Sequence, residues 1–323
     1  MSLLSSEPLA ADRLSATLRS SENRALLELT ADFAANKIAP SEATGDSSER
    51  FDRDLIDEAG RLGLTGIVAP ESAGGMSLGY TVYAALLEEL ARASSAFAVT
   101  IAVNGLGQMI LERFGSAQQQ AQWLGPLARG EHLGAFALTE AHCGSDAAAL
   151  RTHADRRGDE YVINGSKQFI THGGFADCYF VMARTRPRPE DAPAHRGISC
   201  FYVPGSAPGL SAGAQEKKLG WRSSPLCGLV FENVTVPAGH LIGSEGDGFA
   251  IAMQALDSGR VTIGATAVGI GRRALEESVA YARSREAFGQ AIADFQGLQW
   301  MLADMDTALS AARLLVQEAA ERK

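Results

Sequence analysis

Apolar residues recur at helical spacing through the first part of the chain. The spacing predicts helices over residues 25–38, 55–64, 80–93 and 118–124. Proline has no amide hydrogen and restricts the residue before it, so we expect Pro40 to end the first helix and Gly125-Pro126 to end the last. The chain therefore begins with a helical domain, which we place at residues 1–133.

The pattern changes near Gly134 to short runs of apolar and β-branched residues. Strands are predicted over residues 135–138, 160–163, 167–171, 178–183, 198–203 and 228–236. Asn164-Gly165 lies between two of these runs and predicts a hairpin turn. Closely spaced strands without intervening helices predict a small antiparallel β domain over residues 134–247, not a Rossmann fold.

Helical spacing returns after Gly248. Long helices are predicted over residues 249–284 and 296–322, and the small residues around 264–271 indicate close helix packing. We assign residues 248–323 to a C-terminal helical domain. The predicted fold class is α+β, with a helical domain, a middle β domain and a helical bundle.

Charge and cysteine content narrow the functional classes. The 323 residues include 38 acidic and 29 basic side chains, a formal charge of −9. This balance argues against binding to nucleic-acid backbones, although a local arginine cluster could still hold an anionic small ligand. The apolar runs are too short for a membrane span, and MSLLSSEPLAADR lacks the features of a secretory signal, so we expect a cytoplasmic protein. The dispersed cysteines fit a reducing compartment, and no metal site is predicted.

Two segments of the β domain could meet a ligand. The TEAHCGSD sequence at residues 139–146 is a turn rich in hydroxyls and amides, which could cradle a phosphate or a planar ring. Phe169-Ile170-Thr171 places an aromatic ring beside a hydroxyl at a strand end. The alternatives are an ordinary polar loop and a core phenylalanine followed by a turn threonine.

Two further segments carry arginines on or beside the long helices. Asp257 and Arg260 in LDSGR are three residues apart, so they could pair on one helix face or anchor a polar ligand tail. Arg285, between the two helices, could hold a phosphate. The alternatives are a surface ion pair and a solvated loop.

The four segments together resemble the acyl-CoA dehydrogenases. The resemblance covers about residues 20–323 and depends on TEAHCGSD, YVINGSKQFITHGG, LDSGR and SREAFGQAIADFQ. It implies an FAD-dependent enzyme that desaturates a short or branched acyl-CoA thioester and passes electrons to an electron-transfer flavoprotein. It also implies a homo-oligomer, usually a tetramer.

The resemblance implies a set of site residues in this chain. The cofactor-binding residues implied within one subunit are Phe136, Leu138, Thr139, Gly144, Ser145, Phe169, Ile170 and Thr171. Those implied to reach the FAD of a neighbouring subunit are Arg285, Phe288 and Gln296. The substrate-binding residues implied are Ser145, His195, Arg196, Asp257 and Arg260. Two segments depart from the family pattern, with Ala141-His142-Cys143 for Pro-Gly-Ala and Phe169 for the usual tryptophan.

The catalytic base and the end of the chain are further departures from the family pattern. The chemistry needs a carboxylate that removes the α-proton of the thioester. Most family members carry it in a late loop, and a minority carry it where this chain has Gly259. We therefore expect the glutamate to lie beyond the end of a truncated chain, which would be inactive as given and would leave the apolar stripe of residues 298–314 partly uncovered. Glu140 is the alternative base, and no catalytic residue is assigned.

Two other functions stay open. The chain could be a non-catalytic subunit that binds acyl-CoA or flavin. It could also carry out a different flavin reaction on the same fold, as an oxidase or a desulfinase does, without a carboxylate base.

Overall fold

The computed structural model describes residues 17–187 and 193–323. The N-terminal segment interpreted above as lacking a secretory signal lies outside these residues. The chain divides into two compact units. Among the described residues, one unit, which we call the helical unit, contains residues 17–43, 79–99 and 260–323, and the other contains residues 44–78, 100–187 and 193–259.

The helices follow the predicted pattern in most places. They are α1 (Ser21–Phe33), α2 (Ala39–Ser48), α3 (Arg53–Arg61), α4 (Tyr80–Ala93), α5 (Ser95–Phe114), α6 (Ala117–Gln119), α7 (Gly125–Ala128), α8 (Gly248–Ser284) and α9 (Gln296–Glu321). Helix α5 was not predicted as a separate element, because its apolar side chains are distributed around the whole helix and define no single apolar face.

The predicted helix ends at Pro40 and at Gly125-Pro126 are wrong. A π-helical turn, Ala34–Ile38, joins α1 to α2, and the amide of Ala39 donates to the carbonyl of Ala34. A second π-turn, Gln120–Leu124, precedes Pro126 in the same way. The wider turn changes which carbonyl faces each proline ring, so the helix continues through it.

The middle of the chain forms one eight-stranded sheet among the described residues. Its strands are β1 (Gly134–Ala137), β2 (His153–Arg157), β3 (Glu160–Thr171), β4 (Cys178–Arg184), β5 (Ile198–Pro204), β6 (Leu210–Gln215), β7 (Leu226–Pro237) and β8 (Leu241–Ile242). The order is β6-β7-β3-β2-β4-β5-β8, with β1 beside β4. The α+β fold class is confirmed. The antiparallel prediction holds for most pairs but is wrong for β1 and β2, which both run parallel to β4.

The hairpin predicted at Asn164-Gly165 is also wrong. Both residues lie inside the single strand β3, at a bulge where the pairing with β7 shifts register. Gly165 has a φ of +142°, and a Cβ there would lie 2.7 Å from the Cα of Thr152. Glycine is needed because Thr152 closely approaches the backbone of β3, and the bulge turns the following residues toward β1.

Two apolar clusters cover the faces of the sheet. One face carries Tyr161, Phe201 and Phe231. The other carries Phe180 and Tyr202 and packs against the buried residues 109–111 of α5 and 251–255 of α8. Strands β4 and β5 are therefore buried on both faces, whereas β2 and β6 are largely exposed.

One described helix, α5, is long and apolar enough to span a bilayer by length and composition alone. However, 78% of its apolar window is buried inside the protein, as in a core helix.

The helical unit contains a close contact between α8 and α4. A Cβ on Gly269 would lie 2.4 Å from the carbonyl oxygen of Glu88 and 2.7 Å from the Cβ of Ala91. The predicted close packing of the glycine-rich stretch is therefore present at Gly269.

Helix α9 carries an apolar stripe in which some side chains are exposed and others are half-buried. Leu298, Leu302 and Leu309 are half-buried. The exposed apolar residues, at 45–68%, are Trp300, Met301, Met305, Leu314 and Leu315.

Buried ion pairs connect α4, α8 and α9. Arg313 on α9 binds both carboxylate oxygens of Glu88, with a shortest distance of 2.7 Å. Arg272 on α8 contacts Glu89 and lies 3.5 Å from Glu88. Each buried carboxylate therefore has a guanidinium partner, and removal of either partner would leave a buried charge uncompensated.

Replacing Arg313 by methionine is expected to lower the free energy of unfolding by about 2 kcal/mol, because Glu88 keeps only the longer contact with Arg272. Urea unfolding measures the loss. The control is Arg273→Met, which removes an exposed pair with Glu277 (55% and 62% exposed) and should change stability little. Equal losses in the two variants would contradict a special role for the buried pair.

Candidate functional site: a loop held against strand β3

The loop after β1 lies directly against β3. We call residues 138–146 the 138–146 loop. The amide of Gln168 donates to the carbonyl of Thr139 at 2.9 Å. The ammonium of Lys167 donates to the carbonyl of Leu138 at 3.0 Å. Consecutive residues of β3 thus bind consecutive carbonyls of the loop, and the two segments singled out from the sequence meet.

The loop presents free amides at its tip. Glu140 and Cys143 exchange two backbone hydrogen bonds of 3.0 Å, which close a tight turn. Gly144 and Ser145 follow it and are exposed, and within the described part of the chain their amides donate no hydrogen bond. Such amides suit an anionic group, as in a phosphate-binding nest. Phe136 and Thr139 are half-buried, whereas Leu138 is buried.

Phe169 projects outward from the end of β3. Its φ is +57° and its side chain is 57% exposed. The pairing with β7 shifts between Lys167 and Ile170, so this second bulge carries the ring out of the strand. Ile170 is buried, and Thr171 is half-buried. An exposed ring on a strained left-handed residue fits contact with a planar ligand better than the core position that was the alternative.

His172 connects this end of β3 to the start of β1. Its side chain is fully buried, and its Nδ1 donates to the carbonyl of Gly134 at the start of β1. Burial lowers the pKa of His172 to about 4, so the ring is neutral near pH 7. Neutrality leaves Nε2 as an acceptor, which has no partner within the described residues.

Glu140 is unsuited to act as the base. Its buried carboxylate accepts from the Lys167 ammonium at 2.8 Å and from the amides of Arg151 and Thr152 at 2.7 and 3.0 Å. Burial alone would raise the pKa of this carboxyl, but these donors together hold the pKa below its usual value. A general base needs a pKa near the working pH and access to the substrate.

A cluster of potential metal ligands also lies in the loop. One ligand atom each from Glu140, His142 and Cys143 falls within 4.8 Å of the others. The neighbouring Lys167 ammonium opposes a cation there, and burial raises the pKa of the Cys143 thiol, which opposes the thiolate form. The His142 Nε2 already donates to the carbonyl of Ala149 at 3.2 Å. These contacts hold the loop together.

The substrate residues implied by the resemblance are all exposed. The His195 ring stacks on Phe249 with centroids 5.1 Å apart. The backbone carbonyl of Arg196 accepts from the Arg184 guanidinium, and the side chain of Arg196 is exposed. Asp257 and Arg260 are exposed on α8, and neither takes part in an ion pair among the residues described. A mutual surface pair, one of the alternatives above, is therefore not formed.

The three residues implied to reach a neighbouring subunit lie around a short hairpin in the helical unit. The hairpin pairs β9 (Glu286–Ala287) with β10 (Gln290–Ala291). Phe288 is at its tip with a φ of +53° and is 98% exposed. Arg285 precedes the hairpin, Gln296 begins α9, and both are exposed. An almost fully exposed phenylalanine favours a ligand or a partner surface over a plain solvated loop.

Sequence reasoning missed Lys167. Its ammonium is completely buried, although lysine is rarely buried without a partner. The sequence carries little signal for it, because Lys167 follows Asn164, Gly165 and Ser166 and so stands in a polar stretch of β3. Its partner, Glu140, is 27 residues earlier and could not be paired with it by spacing.

Comparison with protein-family models matches three consecutive domains. They are the acyl-CoA dehydrogenase N-terminal domain over residues 20–131, the middle domain over 135–234 and the C-terminal domain over 246–323. An acyl-CoA dehydrogenase of Bacillus subtilis (strain 168) is 44% identical over 295 residues, which cover 91% of this chain and 77% of that protein.

Two further relatives are similar in sequence and structure. A short-chain specific acyl-CoA dehydrogenase of Clostridium acetobutylicum is 40% identical over 303 residues, 94% of this chain and 79% of that protein. The structure of butyryl-CoA dehydrogenase from Megasphaera elsdenii aligns with a TM-score of 0.89 at 38% identity, covering 93% of this chain and 79% of that one. These matches define an oxidoreductase. The chain belongs to the acyl-CoA dehydrogenase family, whose members depend on FAD.

Proposed function

We propose that this protein catalyses the FAD-dependent α,β-dehydrogenation of a short or branched acyl-CoA and passes the electrons to an electron-transfer flavoprotein. The observation that carries the proposal is the meeting of the 138–146 loop with the Phe169 end of β3, joined by the Gln168–Thr139 hydrogen bond. The names of the similar proteins support a short-chain substrate.

The residues present fit FAD. The unpaired amides of Gly144 and Ser145 suit the pyrophosphate, and the exposed Phe169 ring suits stacking on the flavin. The hydroxyls of Thr139 and Thr171 are half-buried at the same edge, where they can hydrogen-bond to the flavin. When bound, FAD accepts the two electrons that leave the β-carbon of the substrate.

The remaining assignments extend this proposal. Ser145, His195, Arg196, Asp257 and Arg260 contact the acyl-CoA, with Asp257 and Arg260 towards the pantetheine and adenine end. Arg285, Phe288 and Gln296 reach the FAD of a neighbouring subunit in a homo-oligomer, a tetramer by resemblance. The domain limits 1–133, 134–247 and 248–323 and a cytoplasmic location remain parts of the same proposal.

The base that removes the α-proton is neither Glu140 nor position 259. Glu140 is occupied by Lys167 and two amides, and Gly259 has no side chain. In a chain of these 323 residues we therefore expect substrate binding without efficient proton removal.

An anaerobic titration of the FAD-loaded 323-residue chain with butyryl-CoA and isobutyryl-CoA tests this expectation. We expect a shift of the flavin absorbance band without bleaching. Bleaching within seconds would mean that another carboxylate acts as the base. Failure to hold FAD at all would contradict the proposed cofactor site.

Two alternatives have distinct results in the same series. A non-catalytic binding subunit would show the shift and would stay unbleached when an active-site carboxylate is introduced. A flavin oxidase or desulfinase would consume oxygen with a substrate that is not a thioester. The exposed substrate residues Asp257 and Arg260 favour CoA-ester binding over the second alternative.

A further inference from the structure

We propose that Lys167 is a positioning residue for the flavin-facing backbone, in addition to compensating the charge of Glu140. The proposal rests on the proposed function, because the backbone it positions is that of the 138–146 loop. Lys167 touches neither the flavin nor the substrate in this view. It acts through the carbonyl of Leu138 and the carboxylate of Glu140.

The contacts of the ammonium join three separate segments. Its Nζ donates to the Leu138 carbonyl at 3.0 Å and to Glu140 Oε1 at 2.8 Å, and its side chain is completely buried. Glu140 in turn accepts from the amides of Arg151 and Thr152, just before β2. One buried cation therefore fixes the start of the loop, its turn and the return of the chain into the sheet.

The placement of Lys167 in β3 makes it a reference point for both flavin-facing segments. Lys167 is the last residue in regular register with β7 before the bulge that projects Phe169. The next residue, Gln168, binds the Thr139 carbonyl. Displacement of the loop relative to Lys167 would change the distance between Thr139 and the Phe169 ring.

Charge compensation alone does not account for this arrangement. A buried carboxylate needs a cation and a buried lysine needs an anion, so mutual neutralisation would by itself explain why the two residues are paired. However, the ammonium also donates to the Leu138 carbonyl, a group that carries no net charge. A buried carbonyl that loses its donor is left without a hydrogen bond, so the backbone must shift or admit water. Neutral side chains at both positions would remove the need for charge compensation but would not restore the hydrogen bond to the Leu138 carbonyl.

The test uses the double variant Lys167→Met/Glu140→Gln, which removes both charges, keeps the size of the Glu140 side chain and shortens that of Lys167 by one atom. The single variant Lys167→Met should be clearly destabilised, because Glu140 stays buried without its cation. The double variant should recover part of the melting temperature, because no charge stays buried without a partner, although the introduced amide can accept from only one of the two backbone amides that Glu140 binds. It should still bind FAD about tenfold more weakly than the unsubstituted chain, because the Leu138 carbonyl has lost a charged donor.

The measurements are thermal unfolding without FAD, the FAD dissociation constant from flavin fluorescence, and visible circular dichroism of the bound flavin. Arg313→Met is the control, since it lowers stability in the helical unit and should leave the FAD dissociation constant unchanged. A double variant with recovered stability, unchanged FAD affinity and an unchanged flavin spectrum would overturn the positioning role. If the unsubstituted chain bound no FAD, the proposed function itself would fail, and the positioning role with it.

Discussion

Replacing Gly259 by glutamate is expected to raise the rate of flavin bleaching by acyl-CoA at least about a hundredfold over the unsubstituted 323-residue chain. A positioned general base contributes a factor of this order or more. The position has room for a side chain, because a Cβ there meets only the Leu106 Cδ2, at an ordinary contact distance of 3.7 Å. By resemblance, a minority of the family carries its glutamate at this position.

Stopped-flow absorbance under anaerobic conditions measures the effect. Gly259→Gln has the same size without the charge and should bind acyl-CoA without bleaching the flavin. The rate in Gly259→Glu should rise with pH as the introduced carboxyl ionises. Equal rates in the glutamate and glutamine variants would contradict the assignment of this position to the face where the α-proton leaves.

The sequence predicts those parts of the fold that depend on local periodicity. Helix α4 has the predicted limits of 80–93, and α8 begins one residue before its predicted start. Pro40 misled the prediction because a π-turn accommodates the proline, and no residue pattern distinguishes such a turn from a helix end. The signal at Asn164-Gly165 failed for a different reason. A type I′ turn needs both residues in the left-handed region, and Asn164 does not lie there.

The candidate site could be predicted from its sequence motifs but not from the periodicity or spacing of its residues. Thr139 and Phe169 are 30 positions apart in the sequence and were associated only through the resemblance of both segments to one family. The two segments meet through the hydrogen bond between Gln168 and Thr139, which depends on the parallel placement of β1 beside β4 and on the two bulges in β3, and these are tertiary features. Lys167 was missed because the partner of a buried charge lies wherever the fold brings it.

Replacing Gly269 by alanine is expected to lower the free energy of unfolding by about 3 kcal/mol, although glycine to alanine normally favours a helix by about 1 kcal/mol. The added Cβ would lie 2.4 Å from the backbone oxygen of Glu88, an atom that cannot rotate away. Helix α8 would have to move from α4, which would also disturb the nearby contact between Arg272 and Glu89.

Gly259→Ala is the matched control in the same helix, because its Cβ has room. It should stabilise the chain by roughly 0.5–1 kcal/mol, so the two variants should change stability in opposite directions. Urea unfolding followed by circular dichroism measures both. Stabilisation by both substitutions would mean that α8 and α4 are farther apart than the structure places them, and the glycine-rich stretch would then be a cost in helix propensity without a gain in packing.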